Sequence, residues 1–108
     1  FDRWVKPSCM LVCEDNYSNA HGTPWLYKEM GIGKLIGAPV PGTMTAVWWE
    51  NIGQYTFGIP QVGTKDNRGN YLENQQLNPD IECYVTPENM LRGIDTQIEA
   101  AVKDLLAK

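Results

Sequence analysis

The feature that most constrains the fold is a short apolar run followed at once by a polar loop and a helix signal. Residues 10–13 are Met-Leu-Val-Cys, a run typical of a strand that is buried on both faces. Ser18 and Asn19 are favoured helix N-cap residues, and the helix predicted after them stops at Gly31. A second short strand is predicted at residues 34–37. Because parallel strands need a crossover between them, strand, helix and strand in this order predict a parallel sheet.

The rest of the chain predicts further short strands and two helices. Residues 43–49 and 55–57 are rich in β-forming residues and predict a hairpin-like pair, and residues 81–85 predict another strand. Thr86 and Asp95 are N-cap types that each open a helix. The last helix has apolar residues at helical spacing: Ile98, Ala101, Val102, Leu105 and Leu106. The fold class is therefore α/β, with a strand–helix–strand start, additional short strands and a C-terminal helix.

Size, charge and cysteine spacing exclude several classes of protein. The 108 residues suffice for one small domain, and the net charge of −4 argues against a nucleic-acid binder, which usually has a basic face. No apolar stretch approaches the roughly 20 residues that span a bilayer. Cys9, Cys13 and Cys83 form neither a disulfide framework nor a zinc pattern, and we interpret them as small buried hydrophobic residues. We expect no metal, no cofactor and no membrane span.

The loop before the first helix is the place where a serine could act as a nucleophile. Ser18 follows the C-terminal end of a predicted buried strand and precedes a helix, where unpaired backbone N–H groups and the helix dipole favour negative charge. The N–H of Asn19 could stabilise the oxyanion that forms when the Ser18 hydroxyl attacks a carbonyl. The alternative interpretation from the residues alone is that Ser18 only caps the helix.

Three motifs in register resemble the tricorn-like and C-terminal processing serine peptidases. The sequence Tyr-Ser-Asn-Ala-His at residues 17–21, followed by Gly-Ile-Gly-Lys-Leu-Ile-Gly at 31–37, is similar to the stretch around that family's active-site serine. Residues 70–81 resemble the family's Leu-Glu-Asn and Pro-Asp-Ile segment. Residues 93–102 resemble its closing helix. The resemblance spans nearly the whole chain, and it implies that residues 1–108 are the C-terminal, nucleophile-bearing part of a catalytic domain.

The resemblance implies a fold and a set of catalytic residues. The fold would be a crotonase-like α/β lobe, as in the Clp proteases, and the activity would be peptide-bond hydrolysis through an acyl-enzyme. Ser18 would be the nucleophile, the backbone N–H of Asn19 an oxyanion-hole donor, and Glu73 the acidic member of the tetrad. Glu73 would orient a polar partner of the general base, a role that needs a fixed carboxylate.

The chain departs from the family pattern because it contains no residue that matches the family's general base. The Ser-His pair of the tricorn-like branch lies upstream of this region, and the Ser-Lys branch has its lysine where residues 39–43 stand here without one. The resemblance therefore implies a serine endopeptidase whose base comes from a segment outside this chain. A catalytically inactive peptide-binding or scaffold domain of the same fold is the alternative, and it gains support from His21, which stands where the family more often has Glu.

Four residues are candidates for the substrate cleft: His21, Gly42, Thr43 and Trp48. For His21 we expect a structural or substrate-facing role rather than that of base, because two side chains three apart on one helix need not meet in a base's geometry. Trp48 and Trp49 should face opposite sides of a strand. Trp48 could either pack in the core or form a wall of the cleft. The partner implied by the resemblance is a peptide or protein. A homo-oligomer is one state it allows, and relatives include exported and cytoplasmic enzymes.

Overall fold

The computed structural model describes residues 3–107, which form two groups of strands and three helices. In chain order the elements are β1 (Cys9–Val12), α1 (Asn19–Glu29), β2 (Lys34–Gly37), β3 (Thr45–Ile52), β4 (Tyr55–Gly63), β5 (Ile81–Glu82), α2 (Pro87–Leu91) and α3 (Thr96–Leu106). We call β1, β2, β5, α1 and α3 the parallel-sheet lobe, and β3 with β4 the hairpin. None of the helices within residues 3–107 is long and apolar enough to cross a membrane.

The predicted strand–helix–strand unit is confirmed. Strands β1 and β2 pair in parallel, with Leu11 opposite Ile36, and β5 adds in parallel on the other side of β2. The central strand is the buried one, since Leu35 and Ile36 are fully buried. Strand β1 lies at an edge of this sheet, and Leu11 is 41% exposed. The prediction that the first strand is buried on both faces is therefore wrong within the described residues, because an apolar run does not distinguish an edge strand from a central one.

The core of the lobe is small and lies under β1 and β2. It consists of Val12, Leu35, Val40 and Leu77, with Met10, Trp25 and Tyr27 packed against it. Asp80 connects β2 to α1 beside this core. One of its carboxylate oxygens accepts a hydrogen bond from the Leu35 N–H at 2.8 Å, and the other pairs with Lys28 at 3.0 Å. The cysteines at 9, 13 and 83 are free and only half-buried, so they are less buried than the sequence predicts.

The hairpin forms as predicted but is longer, and it packs mainly on itself. Ile52 pairs with Tyr55, and Gly53 has a positive φ of 58°, which matches a type II′ turn with glycine at its first central position. Trp48 and Trp49 are 61% and 67% exposed. Core packing of Trp48, one of its two predicted roles, is therefore wrong for the described residues, because the hairpin projects from the lobe instead of covering it.

The C-terminal segment has both predicted caps and a shorter strand than expected. The Thr86 hydroxyl accepts from the Asn89 N–H, and the Asp95 carboxylate accepts from two backbone N–H groups of the first turn of α3. Strand β5 ends at Glu82, because the next carbonyls are bound by α3: Thr96 donates to the Tyr84 carbonyl at 2.5 Å. On α3 only Ala101 of the predicted apolar stripe is buried, so most of that stripe faces outward in the described part of the chain.

Candidate active site at the start of helix α1

Ser18 adopts a backbone conformation that non-glycine residues rarely occupy. Its φ of 55° and ψ of −116° place it at the first central position of a tight turn, closed by a hydrogen bond from the Ala20 N–H to the Tyr17 carbonyl at 2.9 Å. Such a conformation costs of order 1–3 kcal/mol and tends to occur at functional sites, where a strand turns sharply into a helix. The Ser18 side chain accepts no capping hydrogen bond. The interpretation that Ser18 only caps the helix therefore lacks the bond that it requires.

Asn16 braces the loop that presents this serine. Its side-chain oxygen accepts from the Cys13 N–H at 3.0 Å, and its amide donates to the Ala20 carbonyl at 2.7 Å. That carbonyl would otherwise lose its helical partner, because Pro24 is four residues further on and has no N–H to donate. Sequence reasoning missed Asn16. The available signal was a proline inside the helix, which implies an outside donor for the orphaned carbonyl.

Two of the groups that acyl transfer uses, a nucleophile and an oxyanion donor, could be supplied side by side at this turn. Within residues 3–107 the Ser18 hydroxyl has no hydrogen-bond partner, and the N–H of Asn19 begins the helix without an acceptor. Ser18 is half-buried and Asn19 is exposed. A carbonyl carbon held at the Ser18 oxygen would therefore have its own oxygen near an N–H that is already oriented, at the positive end of the helix dipole.

Glu73 is held by three hydrogen bonds to a single carboxylate oxygen. Oε2 accepts from the N–H of Met44, the N–H of Thr45 and the Thr45 hydroxyl, each at 2.7 Å. These bonds lower the pKa of Glu73 below its ordinary value, so the side chain is ionised at neutral pH. No hydrogen bond of the described residues uses Oε1. The side chain thus has the fixed carboxylate expected from the sequence, with one oxygen available to another group.

His21 lies three residues after Ser18 and close enough to Glu73 to feel its charge. It lies in the first turn of α1 and is completely buried, and neither ring nitrogen makes a hydrogen bond of normal geometry, although the Thr43 backbone and Glu73 lie close enough to favour its protonated form. Burial outweighs both effects and lowers the pKa of His21. Complete burial favours the structural role of His21 over the substrate-facing one.

The remaining cleft candidates lie before and after residues 44–45, the segment that Glu73 binds: Gly42 and Thr43 precede it in sequence, and Trp48 follows it. Gly42 accepts a hydrogen bond from the Asn74 N–H at 2.6 Å, and a Cβ on Gly42 would lie 2.3 Å from the nitrogen of Gln75. Thr43 is half-buried beside His21. Trp48 stands apart on the exposed hairpin, where its indole N–H donates to Glu50 at 2.9 Å. The structure thus groups Gly42, Thr43, His21 and Glu73, and leaves Trp48 outside that group.

An apolar cavity of about 310 Å³ opens between helix α1 and the base of the hairpin. Asn19, Gly22 and Leu26 line it from the helix, and Met44 and Leu72 line it from the opposite side. Met44 precedes Thr45 in sequence and Leu72 precedes Glu73, and the hydrogen bond from Thr45 to Glu73 holds these two segments together. Sequence reasoning missed Met44, because a lone methionine before a strand has no pattern that distinguishes a cavity wall from core.

Comparison with known proteins places the chain among peptidases. The model of a family described as peptidase family S41 matches residues 1–83. The chain is 28% identical over 113 residues to a protein of Chlamydia pneumoniae, covering 96% of this chain and 17% of that protein.

Solved structures agree with that match. The tricorn protease superposes with a TM-score of 0.78 at 25% identity, over 90% of this chain and 10% of that one. Mature CPAF superposes with a TM-score of 0.76 at 20% identity, over 92% and 20% of the two chains. The expected resemblance and the mixed α/β domain are confirmed. The crotonase-like assignment stays a prediction.

Proposed function

The chain belongs to peptidase family S41, and from that premise we propose that it is the nucleophile-bearing part of a serine endopeptidase. It spans only 17% of the Chlamydia pneumoniae relative and 10% of the tricorn protease chain, so the activity belongs to the whole protein. The observation that supports the proposal best is the Ser18 turn. There, in the part of the chain that the structure describes, a strained serine has an unbonded hydroxyl beside an unbonded backbone N–H, and a merely structural N-cap would not need that arrangement.

In the proposed reaction the Ser18 oxygen attacks the carbonyl carbon of the substrate peptide bond. A general base from a segment outside this chain takes the hydroxyl proton, and the Asn19 N–H stabilises the oxyanion of the tetrahedral intermediate. Collapse of that intermediate breaks the C–N bond, and the amine leaves with the proton that the base returns. Water then attacks the ester to Ser18 by the same route in reverse and releases the acid.

Glu73 is proposed as the residue that orients the base's polar partner. Oε2 is held by the three bonds from Met44 and Thr45, which leaves Oε1 for a group that the rest of the protein supplies. His21 is not proposed as the base. Its side chain is completely buried among the described residues, so it is closed off from solvent there, and the same burial lowers its pKa.

The test is labelling of the natural full-length protein with a fluorophosphonate probe, which reacts with activated serines. We expect one probe mass on Ser18, lost in Ser18→Ala and retained in Ser8→Ala. Ser8 is the matched control, because it is the chain's other serine and its hydroxyl is hydrogen-bonded to Tyr27 at 2.8 Å. The 108-residue chain alone should not label.

Two results would contradict the proposal in different ways. A folded full-length protein that never labels, but that still binds peptides, would establish the inactive peptide-binding domain instead. Labelling of the 108-residue chain alone would show that the base is local, and His21 would then be the group to replace.

A further inference from the structure

We propose that the cavity between α1 and the base of the hairpin binds an apolar substrate side chain next to the cleaved bond, with Met44 setting its size. This inference rests on the proposed function, because it concerns the substrate of the same serine. It adds what the Ser18 turn leaves open, which is the class of residue that the site accepts.

The first step of the argument is the position of the cavity. Helix α1 contributes five residues to the wall, and three of them, Asn19, Gly22 and Leu26, follow one another at intervals of three and four and therefore share one face of the helix. The other two are Thr23 and Trp25. That face begins at Asn19, whose N–H is the proposed oxyanion donor. Asn19 thus belongs both to the proposed oxyanion hole and to the cavity wall, so a peptide whose carbonyl oxygen lay at this N–H would have a neighbouring side chain beside the cavity.

The second step is the chemistry of the walls. The surface that the cavity exposes is almost entirely apolar, and among residues 3–107 no charged side chain lines it. A charged substrate side chain would lose its hydration there without gaining a partner, whereas an apolar one would gain from leaving water. The volume of about 310 Å³ is at the lower end of the roughly 300–1,000 Å³ found for ligand pockets, which suits a single side chain.

The third step is the control of size by Met44. Its backbone N–H is fixed by the Glu73 carboxylate at 2.7 Å, so the side chain projects into the cavity from an anchored position. Opposite it is Gly22, where a Cβ would come within 2.6 Å of the Met44 Cε and 3.0 Å of its sulfur. A methyl group at Gly22 would push the flexible end of Met44 into the cavity, and truncation of Met44 would enlarge the cavity.

The experiment measures cleavage of internally quenched peptides by the natural full-length protein, with the residues on each side of the cleaved bond varied in turn. At one of these positions we expect Leu or Met to exceed Asp or Lys in kcat/KM by at least about tenfold. Met44→Ala keeps the backbone N–H to Glu73, and it should shift the Phe-to-Ala ratio at that position by about tenfold or more toward Phe. Gly22→Ala should shift the ratio the opposite way, and Met90→Ala, an exposed methionine on α2, should leave it unchanged.

Fluorophosphonate labelling of the same variants separates the two proposals. If Ser18 labels in every variant but neither Met44→Ala nor Gly22→Ala changes the ratio, the cavity inference is overturned and the serine peptidase proposal stands. A natural protein that prefers charged residues on both sides of the bond would overturn the inference in the same way. If Ser18 never labels and no peptide is cut, the proposed function fails first, and the cavity inference falls with it.

Discussion

The parallel-sheet lobe and the hairpin are both rich in apolar residues, yet only the lobe buries them. Leu35 and Ile36 of β2 are fully buried, whereas every residue of β4 is exposed, and the hairpin leaves Trp49 and Tyr55 more than 60% accessible. The radius of gyration of 17.1 Å exceeds the roughly 13 Å expected for a domain of about 100 residues, because the hairpin projects.

The lobe and the hairpin are therefore stabilised by different interactions. In the lobe, apolar burial at about 25 cal/mol per Å² offsets the entropy of ordering the chain. In the hairpin, the turn at Gly53 and cross-strand pairing supply most of the order, and a two-stranded hairpin alone is at best marginally stable in water. The proposed site lies at the junction, where Glu73 binds the base of the hairpin to the lobe.

The largest expected effect compares one core residue with one hairpin residue in the 108-residue chain. Leu35→Ala should lower the free energy of unfolding by about 3 kcal/mol, because it leaves a cavity in the only extensive core of the described residues. Trp49→Ala should lower it by less than about 1 kcal/mol, because the indole is already exposed. Urea unfolding followed by circular dichroism measures both.

The same two substitutions in the natural full-length protein test whether the hairpin stays exposed there. If Trp49→Ala there costs about 3 kcal/mol or more, another part of the protein packs against the hairpin, and the two regions are alike once assembled.

The next largest effect concerns the junction. Glu73→Gln should destabilise the chain by about 1–2 kcal/mol at neutral pH, because hydrogen bonds to a charged acceptor are the stronger ones. Glu29→Gln, at the exposed end of α1, is the control for loss of one charge and should have little effect.

The pH dependence of this effect has a definite sign. The pKa of Glu73 is lowered in the folded state from its ordinary value of 4.5, so its stabilisation is complete above that value and is lost as the pH falls through the folded-state pKa. The difference in unfolding free energy between Glu73→Gln and the natural chain should therefore shrink in acid. A difference that stays constant down to pH 2–3 would contradict the charged role of Glu73.

The smallest effect uses two glycines with nearly the same positive φ. Gly31, at the end of α1, has a φ of 62° and Gly53, in the hairpin turn, has a φ of 58°, and neither has an atom within 4 Å of an added Cβ. Gly31→Ala should cost about 1 kcal/mol of global stability. Gly53→Ala should change global stability by less than about 0.5 kcal/mol and instead speed hydrogen exchange at Ile52 and Tyr55, because the hairpin opens locally. Equal global losses would show that the two regions unfold as one unit.

Local signals predicted most of the elements. The helix after Ser18, the parallel partner at Lys34–Gly37, the hairpin and the caps at Thr86 and Asp95 all follow from residue types that act over a few positions. The strand at residues 81–85 was predicted too long, because its last carbonyls are taken by Thr96 and Gln97 of α3, a competition that a local pattern does not contain.

Part of the candidate site was also accessible before the fold was known. The motif around Ser18 and the Leu-Glu-Asn motif around Glu73 indicated a nucleophile and a fixed carboxylate, and their catalytic roles stay predictions. The burial of His21, the brace made by Asn16 and the wall made by Met44 were not accessible, because each depends on which distant segment packs against it.

The order of strands and helices, the loop from β1 to the helix start at Ser18, and the family could all be inferred from the sequence, since they depend on residues close together along the chain. Tertiary structure alone decided that Thr45 and Met44 lie against Glu73, that His21 is sealed from solvent and that a cavity opens beside Asn19. The physical reason is that burial and hydrogen-bond partners come from segments far apart in sequence, whereas caps, turns and periodicity are settled within a few residues.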